Sequence, residues 1–155
     1  MAYEIERKYL VDVARWTPRG TGTLYRQGYL SSHKERVVRV RVHGDTGVLT
    51  IKGPNRGVTR AEFEYPIPLA DATELLALCE APLIEKTRHA ELHGDMTWEI
   101  DVFHGANAGL VIAEVELTSE TQTVAVPPWA IREVSDDPRY YNSNLIAHPY
   151  STWPT

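Results

Sequence analysis

The 155-residue sequence contains a single cysteine, Cys79, and no long apolar run. One cysteine excludes an internal disulfide and a cysteine-rich zinc site, and it is typical of a reducing compartment. No segment approaches the roughly 18 consecutive apolar residues that cross a membrane, and the N-terminus carries charges where a signal peptide needs an apolar stretch. We therefore predict a cytoplasmic protein that does not bind membranes.

The sequence also has no excess of positive charge. Lysine and arginine number 16 against 21 aspartates and glutamates, which gives a formal net charge of -5. This balance argues against a surface for nucleic acid or for an anionic membrane. The length suits one packed core, and no linker or internal repeat divides the chain, so we predict a single domain over residues 1–155.

Turn signals, such as Gly44 with Asp45 and Gly94 with Asp95, divide the chain into short segments in which polar and apolar residues alternate, a pattern typical of β-strands. Two helical stretches are predicted besides the strands: residues 71–78, and short segments in the polar tail, residues 119–147. The expected fold class is mainly β (α+β), as a barrel or a sandwich with helical additions. The eight predicted strands, mostly antiparallel, lie near residues 3–12, 23–30, 36–43, 47–53, 60–67, 83–92, 96–104 and 110–118.

Within these strands the ionisable residues recur at every second position and therefore share one face. An antiparallel sheet with one solvated face gives the same alternation. However, charges of the same sign are grouped, as in Arg39 with Arg41 and Glu62 with Glu64, and such pairs repel each other unless an opposite charge lies between them. The set is Glu4, Glu6, Lys8, Arg39, Arg41, Lys52, Glu62, Glu64, Lys86, Arg88, Glu99, Asp101, Glu114 and Glu116, with Arg26 as a further basic candidate.

If this face points into a closed barrel, basic and acidic side chains line a common lumen. Such a lumen is costly unless water, metal and a multiply charged guest occupy it. Arginines and lysines match a chain of phosphates, while clustered carboxylates match a hard divalent cation. The pattern therefore predicts a polyphosphate bound together with magnesium or manganese.

The same residues resemble the CYTH, or triphosphate tunnel metalloenzyme, superfamily. Its ExExK signature matches residues 4–8, and the later matches follow in order: RxR at 39–41, Lys52, ExE at 62–64, KxR at 86–88, Asp101 and ExE at 114–116. The resemblance spans residues 3–148. It implies an eight-stranded antiparallel closed barrel that forms a tunnel with a few flanking helices. The chain looks most like the small bacterial members that hydrolyse inorganic tripolyphosphate.

The resemblance also implies a role for each residue. Lys8, Arg39, Arg41, Lys52, Lys86 and Arg88 would bind phosphates, with Arg26 at the rim. Glu4, Glu6, Glu114 and Glu116 would hold one or two Mg²⁺ or Mn²⁺ ions, with Asp101 joining through water. The expected catalytic set is Glu4, Glu6, Lys8, Glu62, Glu64 and Tyr29, in which Glu62 and Glu64 are second-site metal ligands or a base toward water.

Two alternatives stay open. The same tunnel could serve an adenylate cyclase or a nucleoside or thiamine triphosphatase, each of which needs a pocket beyond the triphosphate site. A noncatalytic polyphosphate-binding barrel could dispense with the carboxylates of the first and eighth strands, and both pairs are intact here. The expected partner is a small-molecule triphosphate rather than a nucleic acid or a membrane, and a homodimer is compatible with the sequence.

Overall fold

The computed structural model describes residues 2–154. Over this part of the chain it contains nine strands, one α-helix and four short 3-10 helices. The helix is α1 (Leu69–Leu76), and the 3-10 helices are Gly105–Asn107, Pro138–Tyr140, Asn142–Asn144 and Tyr150–Thr152. The strands are β1 (Tyr3–Val11), β2 (Thr23–Ser31), β3 (Val37–His43), β4 (Thr46–Lys52), β5 (Thr59–Ile67), β6 (Glu80–His93), β7 (Met96–Phe103), β8 (Val111–Glu116) and β9 (Ala130–Glu133).

Eight of these strands close into an antiparallel barrel, as predicted. The order around the barrel is β5-β4-β3-β2-β6-β7-β8-β1, and β1 closes it by pairing with β5. The first half of β1 pairs with β5, for example Glu4 with Arg60, and its second half pairs with β9, for example Tyr9 with Glu133. Closure leaves each of the eight strands with two neighbours.

Two tight hairpins confirm the predicted turns. His43 pairs with Thr46 across the two residues Gly44 and Asp45, and His93 pairs with Met96 across Gly94 and Asp95. Both glycines have positive φ angles, 57° at Gly44 and 64° at Gly94, a conformation that a side chain at that position would disfavour.

The tail differs from the prediction. Strand β9 was not predicted, because its four residues carry no clear alternation and its pairing depends on the half of β1 that β5 leaves uncovered. The α-helix begins two residues earlier than predicted, directly after Pro68, and ends at Leu76. No helix within residues 2–154 is long and apolar enough to cross a membrane.

The apolar residues form three clusters that leave a charged band inside the barrel. On the outer face, Trp98 and Val115 pack under Trp16, while Ala72 and Leu76 of α1 cover Val40. The third cluster lies at one end of the barrel, where tail residues pack against the strands; it comprises Tyr29, Val37, Ile84, Phe103, Leu110, Ile112, Val134, Tyr140, Leu145 and Ile146. The tail therefore fills part of that end.

Candidate functional site in the barrel tunnel

Two cavities meet inside the barrel. The larger has a volume of about 650 Å³ and opens at an end that we call the acidic mouth, lined by Glu62, Glu64, Glu99 and Glu116. The smaller, about 70 Å³, opens at an end that we call the tail mouth, lined by Arg60, Tyr141, Asn142 and Ser143. The residues that line both cavities are Glu4, Glu6, Arg39, Arg41, Lys52 and Glu114. Three carboxylates and three cations thus meet at the centre of the tunnel.

The lysines of the tunnel are paired with carboxylates. Lys8 Nζ donates to Glu114 and lies 3.4 Å from Glu6 Oε1. Lys52 Nζ lies 2.9 Å from Glu4 Oε1 and 3.3 Å from Glu62 Oε2. Burial opposes the charge on Lys8, but Glu114 and Glu6 outweigh it and raise the pKa of Lys8 above its usual value.

Arg88 forms the most extensive ion-pair cluster. Its Nε and Nη2 atoms donate to the two oxygens of Asp101 at 2.8 and 2.9 Å, Nη1 donates to Glu99 at 3.1 Å, and Nη2 also reaches Glu114 at 3.0 Å. Asp101, which is 1% exposed, also forms an ion pair with Lys86, whose Nζ atom lies 2.8 Å from Oδ2. Asp101 therefore serves as the shared counter-ion of the buried Lys86 and the partly buried Arg88.

The two arginines of β3 have different surroundings. Arg39 Nη2 donates to Thr50 Oγ1 at 3.1 Å and lies 3.5 Å from Glu64, while Arg39 Nε is buried without a hydrogen-bond partner. Arg41 Nε donates to the uncharged Gln27 Oε1 at 2.9 Å, and no carboxylate of residues 2–154 forms an ion pair with Arg41. Burial and the neighbouring Arg39 and Arg88 lower the pKa of Arg41 to about 10.

Crowding among the carboxylates changes their acidity. Burial, followed by the charge of Glu114, raises the pKa of Glu6 to about 8. Burial and a hydrogen bond with Glu4 raise the pKa of Glu62 to about 7. Burial also opposes the charge on Glu114, but Lys8 and Arg88 hold its pKa well below the usual value. Some of these carboxyl groups therefore retain a proton at neutral pH where their neighbours do not.

This set of carboxylates has the chemistry of a divalent-cation site. Within residues 2–154, no three acidic, histidine or cysteine side chains already stand at metal-ligand spacing. However, Glu6 lies opposite Glu116 on the paired strands β1 and β8, and the repulsion of Glu114 raises the pKa of Glu6. A cation placed among these carboxylates would relieve the repulsion, so the residues present fit a divalent metal.

The structure brings most of the predicted site residues into the tunnel, with one correction. Arg26 lies on the outer face of β2, half-exposed, with Nε 3.6 Å from Glu85, because alternation along β2 gives the inner position to Gln27. Asp101 lies inside, where it pairs with Lys86 and Arg88, and its contact with a metal through water stays a prediction. Tyr29 lies inside, 2% exposed, and its hydroxyl accepts from Gln27 Nε2 at 3.0 Å.

Several uncharged residues of the site were missed from the sequence. Gln27 and Thr50 are fully buried and hold the two β3 arginines. The ring of Tyr25 lies 4.9 Å from the guanidinium carbons of both Arg41 and Arg88. Asn142, at the tail mouth, accepts from Lys86 Nζ at 2.8 Å. The position of Lys52 on β4 was an available signal for Thr50, two residues earlier, whereas the sequence of β2 does not define which of its residues face inward. Nothing local indicated that Asn142 contacts Lys86.

Comparison with known proteins places the chain in a family. Residues 2–144 match the CYTH domain. The chain belongs to the CYTH domain family. This CYTH domain is 48% identical over 154 residues to an inorganic triphosphatase of Acetivibrio thermocellus, with 99% of both chains covered. It is 36% identical to an inorganic triphosphatase of Nitrosomonas europaea over 92% of this chain and 95% of that one.

Solved structures agree with this placement. A crystal structure of an inorganic triphosphatase superposes on 98% of this CYTH domain and on 100% of that chain, with 33% identity and a TM-score of 0.65. A putative adenylate cyclase of Bacillus halodurans shares the fold at 17% identity and a TM-score of 0.55, over 77% of this chain and 84% of that one. Metal dependence, which is common to triphosphate tunnel metalloenzymes, agrees with the acidic groups described above.

Proposed function

We propose that this CYTH domain is an inorganic triphosphatase that hydrolyses tripolyphosphate to diphosphate and phosphate inside the barrel, with Mg²⁺ or Mn²⁺. The two curated relatives carry the name inorganic triphosphatase, and the match to the first extends over nearly the whole chain. The charge distribution of the tunnel supports the same activity independently of those names.

The observation that carries the proposal is that the protein only partly satisfies the two arginines of β3. Arg39 Nε is buried without a partner, and Arg41 has no carboxylate beside it within the described chain. A buried donor without an acceptor costs about 1–3 kcal/mol, so these groups favour an anion that enters the tunnel. A phosphate oxygen is a strong acceptor for a guanidinium and suits this position.

The remaining cations would bind the rest of the phosphate chain. Carboxylates hold the other cations, and these contacts would weaken if a divalent cation bound the same carboxylates; the cations are Lys8, Lys52, Lys86 and Arg88. The proposed phosphate-binding set is therefore Lys8, Arg39, Arg41, Lys52, Lys86 and Arg88, without Arg26. Six cations around one chain of three phosphates would neutralise the charge that develops as the bridging bond breaks.

The proposed metal-binding residues are Glu4, Glu6, Glu114 and Glu116, all of which line the larger cavity. A bound Mg²⁺ or Mn²⁺ would neutralise phosphate charge and lower the pKa of water. In the proposed hydrolysis a water oxygen would form a bond to the terminal phosphorus as the bond to the bridging oxygen breaks, and diphosphate would leave. We propose Glu62 or Glu64 as acceptor of the water proton, and Tyr29 as a hydroxyl contact of the phosphate end.

The proposal is tested by measuring phosphate release from tripolyphosphate, ATP and thiamine triphosphate with Mg²⁺ or Mn²⁺. We expect tripolyphosphate to be the best substrate and excess chelator to abolish release. Glu116→Ala should reduce release strongly without unfolding the barrel, because Glu116 is exposed and makes no ion pair within residues 2–154. Glu85→Ala, on the outer face, is the matched control.

Other outcomes identify the alternatives. A preference for ATP or thiamine triphosphate would show that the tunnel serves an organic triphosphate instead of tripolyphosphate. If no compound released phosphate, a noncatalytic polyphosphate-binding barrel would be the better description. Full activity in excess chelator would contradict the metal requirement.

A further inference from the structure

Arg41 differs from the other cations of the tunnel in the group that holds it. Arg88 contacts three carboxylates, and Lys8 and Lys52 contact two each. Arg41 is held by an uncharged carboxamide, the Oε1 atom of Gln27, at 2.9 Å. An uncharged acceptor fixes the direction of the guanidinium but leaves its positive charge uncompensated.

A network of hydrogen bonds fixes the orientation of the Gln27 side-chain amide. It is fully buried, and its Nε2 atom donates to Tyr29 Oη at 3.0 Å and to Asn142 Oδ1 at 3.1 Å. The same Asn142 oxygen accepts from Lys86 Nζ at 2.8 Å. Because Arg41 Nε and Lys86 Nζ can only donate, the oxygens of both amides must face these cations.

The orientation of the Gln27 amide explains why a glutamate could not replace it. A carboxylate there would pair with Arg41 and cancel its charge. It would also place an acceptor against the Asn142 oxygen, where the amide has a donor. The two features that the site uses, an oriented guanidinium and an uncompensated charge, are both supplied by a buried amide.

We infer that Gln27 is the positioning residue of Arg41, and that, anchored by Tyr29 and by Asn142 of the tail, it maintains Arg41 as an uncompensated receptor for the phosphate chain. This inference rests on the proposed function, since it names the contact that first binds the triphosphate. The carboxylates partner the lysines and Arg88 when no metal is bound, so Arg41 should dominate anion binding under metal-free conditions.

The test is isothermal titration of the protein with tripolyphosphate in excess EDTA, where no hydrolysis is expected. Gln27→Glu should raise the dissociation constant at least about tenfold, the loss expected when one charge-assisted contact is cancelled. Gln27→Met, of similar shape but with neither charge nor hydrogen bonds, should raise it less. Leu24→Glu adds the same charge on the exposed outer face of the same strand and should leave binding within about twofold.

Comparison of the dissociation constants of Gln27→Glu and Gln27→Met distinguishes a positioning role of Gln27 from a packing role. Circular dichroism and thermal unfolding without anion establish that each variant is folded. Weaker binding by Gln27→Glu than by Gln27→Met supports the inference, whereas equal binding by wild type and Gln27→Glu would overturn it. An effect of Gln27→Met as large as that of Gln27→Glu would also overturn it, because packing alone would then explain the loss.

The proposed function fails separately from this inference. Wild-type protein that binds tripolyphosphate in EDTA but releases no phosphate with Mg²⁺ or Mn²⁺ would contradict the triphosphatase, while the order of the Gln27 variants would still decide the role of Gln27. Wild-type protein that binds no tripolyphosphate in EDTA would overturn the receptor assigned to Arg41, whatever the result of the hydrolysis assay.

Discussion

The two sides of the tunnel wall carry the same kinds of charged residue in different states. On the side formed by β6, β7 and β8, Lys86 and Arg88 share Asp101 as a counter-ion, and Arg88 also pairs with Glu99 and Glu114. On β3, Arg39 Nη2 donates to Thr50 and lies 3.5 Å from Glu64, whereas Arg41 Nε donates to the uncharged Gln27 and forms no ion pair within residues 2–154. A charge inside the barrel that has its counter-ion stabilises the fold, whereas a charge without one is available to a ligand.

We expect the largest effect on stability, from a substitution in the ion-pair cluster of β6 and β7. Asp101→Ala removes the counter-ion of the buried Lys86 and the partly buried Arg88. Breaking one partner out of a buried ion pair typically costs about 3–5 kcal/mol, so we expect the free energy of unfolding in urea to fall by that order. Arg41→Met breaks no ion pair but leaves the buried Gln27 Oε1 without its donor, so it should cost only about 1–3 kcal/mol. Equal losses in the two variants would remove the distinction between the sides.

We expect the second largest effect on activity, from a substitution of Arg41 on β3. Arg41→Met should lower kcat/KM for tripolyphosphate by about 100-fold or more, as expected for a lost donor to developing transition-state charge. The measurement is steady-state phosphate release with saturating Mg²⁺. Arg26→Met, on the outer face of β2, is the matched control and should stay within about twofold; a comparable loss at Arg26 would show that the tunnel interior does not decide activity.

The third effect concerns pH and the carboxylates between the two sides. Burial raises the pKa of Glu6 to about 8 and that of Glu62 to about 7, above the usual glutamate value of 4.5. They therefore stabilise the metal-free fold below pH 4.5, and this contribution is lost as the pH rises through 7 and 8. The slope for Glu6 is at most about 1.4 kcal/mol per pH unit.

This pH effect is measured as the unfolding free energy of wild type minus that of Glu6→Gln in EDTA between pH 5 and 8. The difference should fall with rising pH. In the same range kcat/KM of the wild type should increase, because metal competes for Glu6 more easily once its proton is weakly held. An activity optimum on the acidic side would contradict the assignment of Glu6.

The smallest effect is expected on the outer face. Arg26 and Glu85 form a half-exposed pair with Nε 3.6 Å from the carboxylate oxygen. Exposed pairs contribute at most about 1 kcal/mol and are screened by salt. Arg26→Met should therefore change the urea midpoint only slightly, and less so at high salt. A large destabilisation would show that this outer pair is structural.

Much of the barrel could be predicted because it depends on local patterns. Alternation gave the eight strands and turn residues gave the hairpins at Gly44 and Gly94, while closure into a tunnel followed from the family resemblance. Strand β9 could not be predicted, because its pairing exists only where β5 leaves β1 uncovered. The site could be predicted where charged residues recur at every second position of a strand, a pattern that placed Glu6 and Arg41 on the same face.

Three features of the site lay beyond sequence patterns. The outward position of Arg26 depends on the parity of β2, which the apolar residues around it do not define. Asp101 pairs with Lys86 and Arg88 because β6 and β7 are neighbours in the sheet, and this pairing is a feature of the tertiary structure. Asn142 reaches Lys86 from a segment 56 residues away along the chain, and nothing in the local sequence indicates that contact.

The most direct test of the central claim is a crystal structure of Glu6→Gln with tripolyphosphate and Mg²⁺. We predict that the phosphate chain lies in the tunnel, with an oxygen within hydrogen-bond distance of Arg39 Nε and another on Arg41, and with the metal among Glu4, Glu114 and Glu116. A phosphate chain bound outside the barrel, or one in the tunnel that leaves Arg39 and Arg41 without contact, would contradict the account.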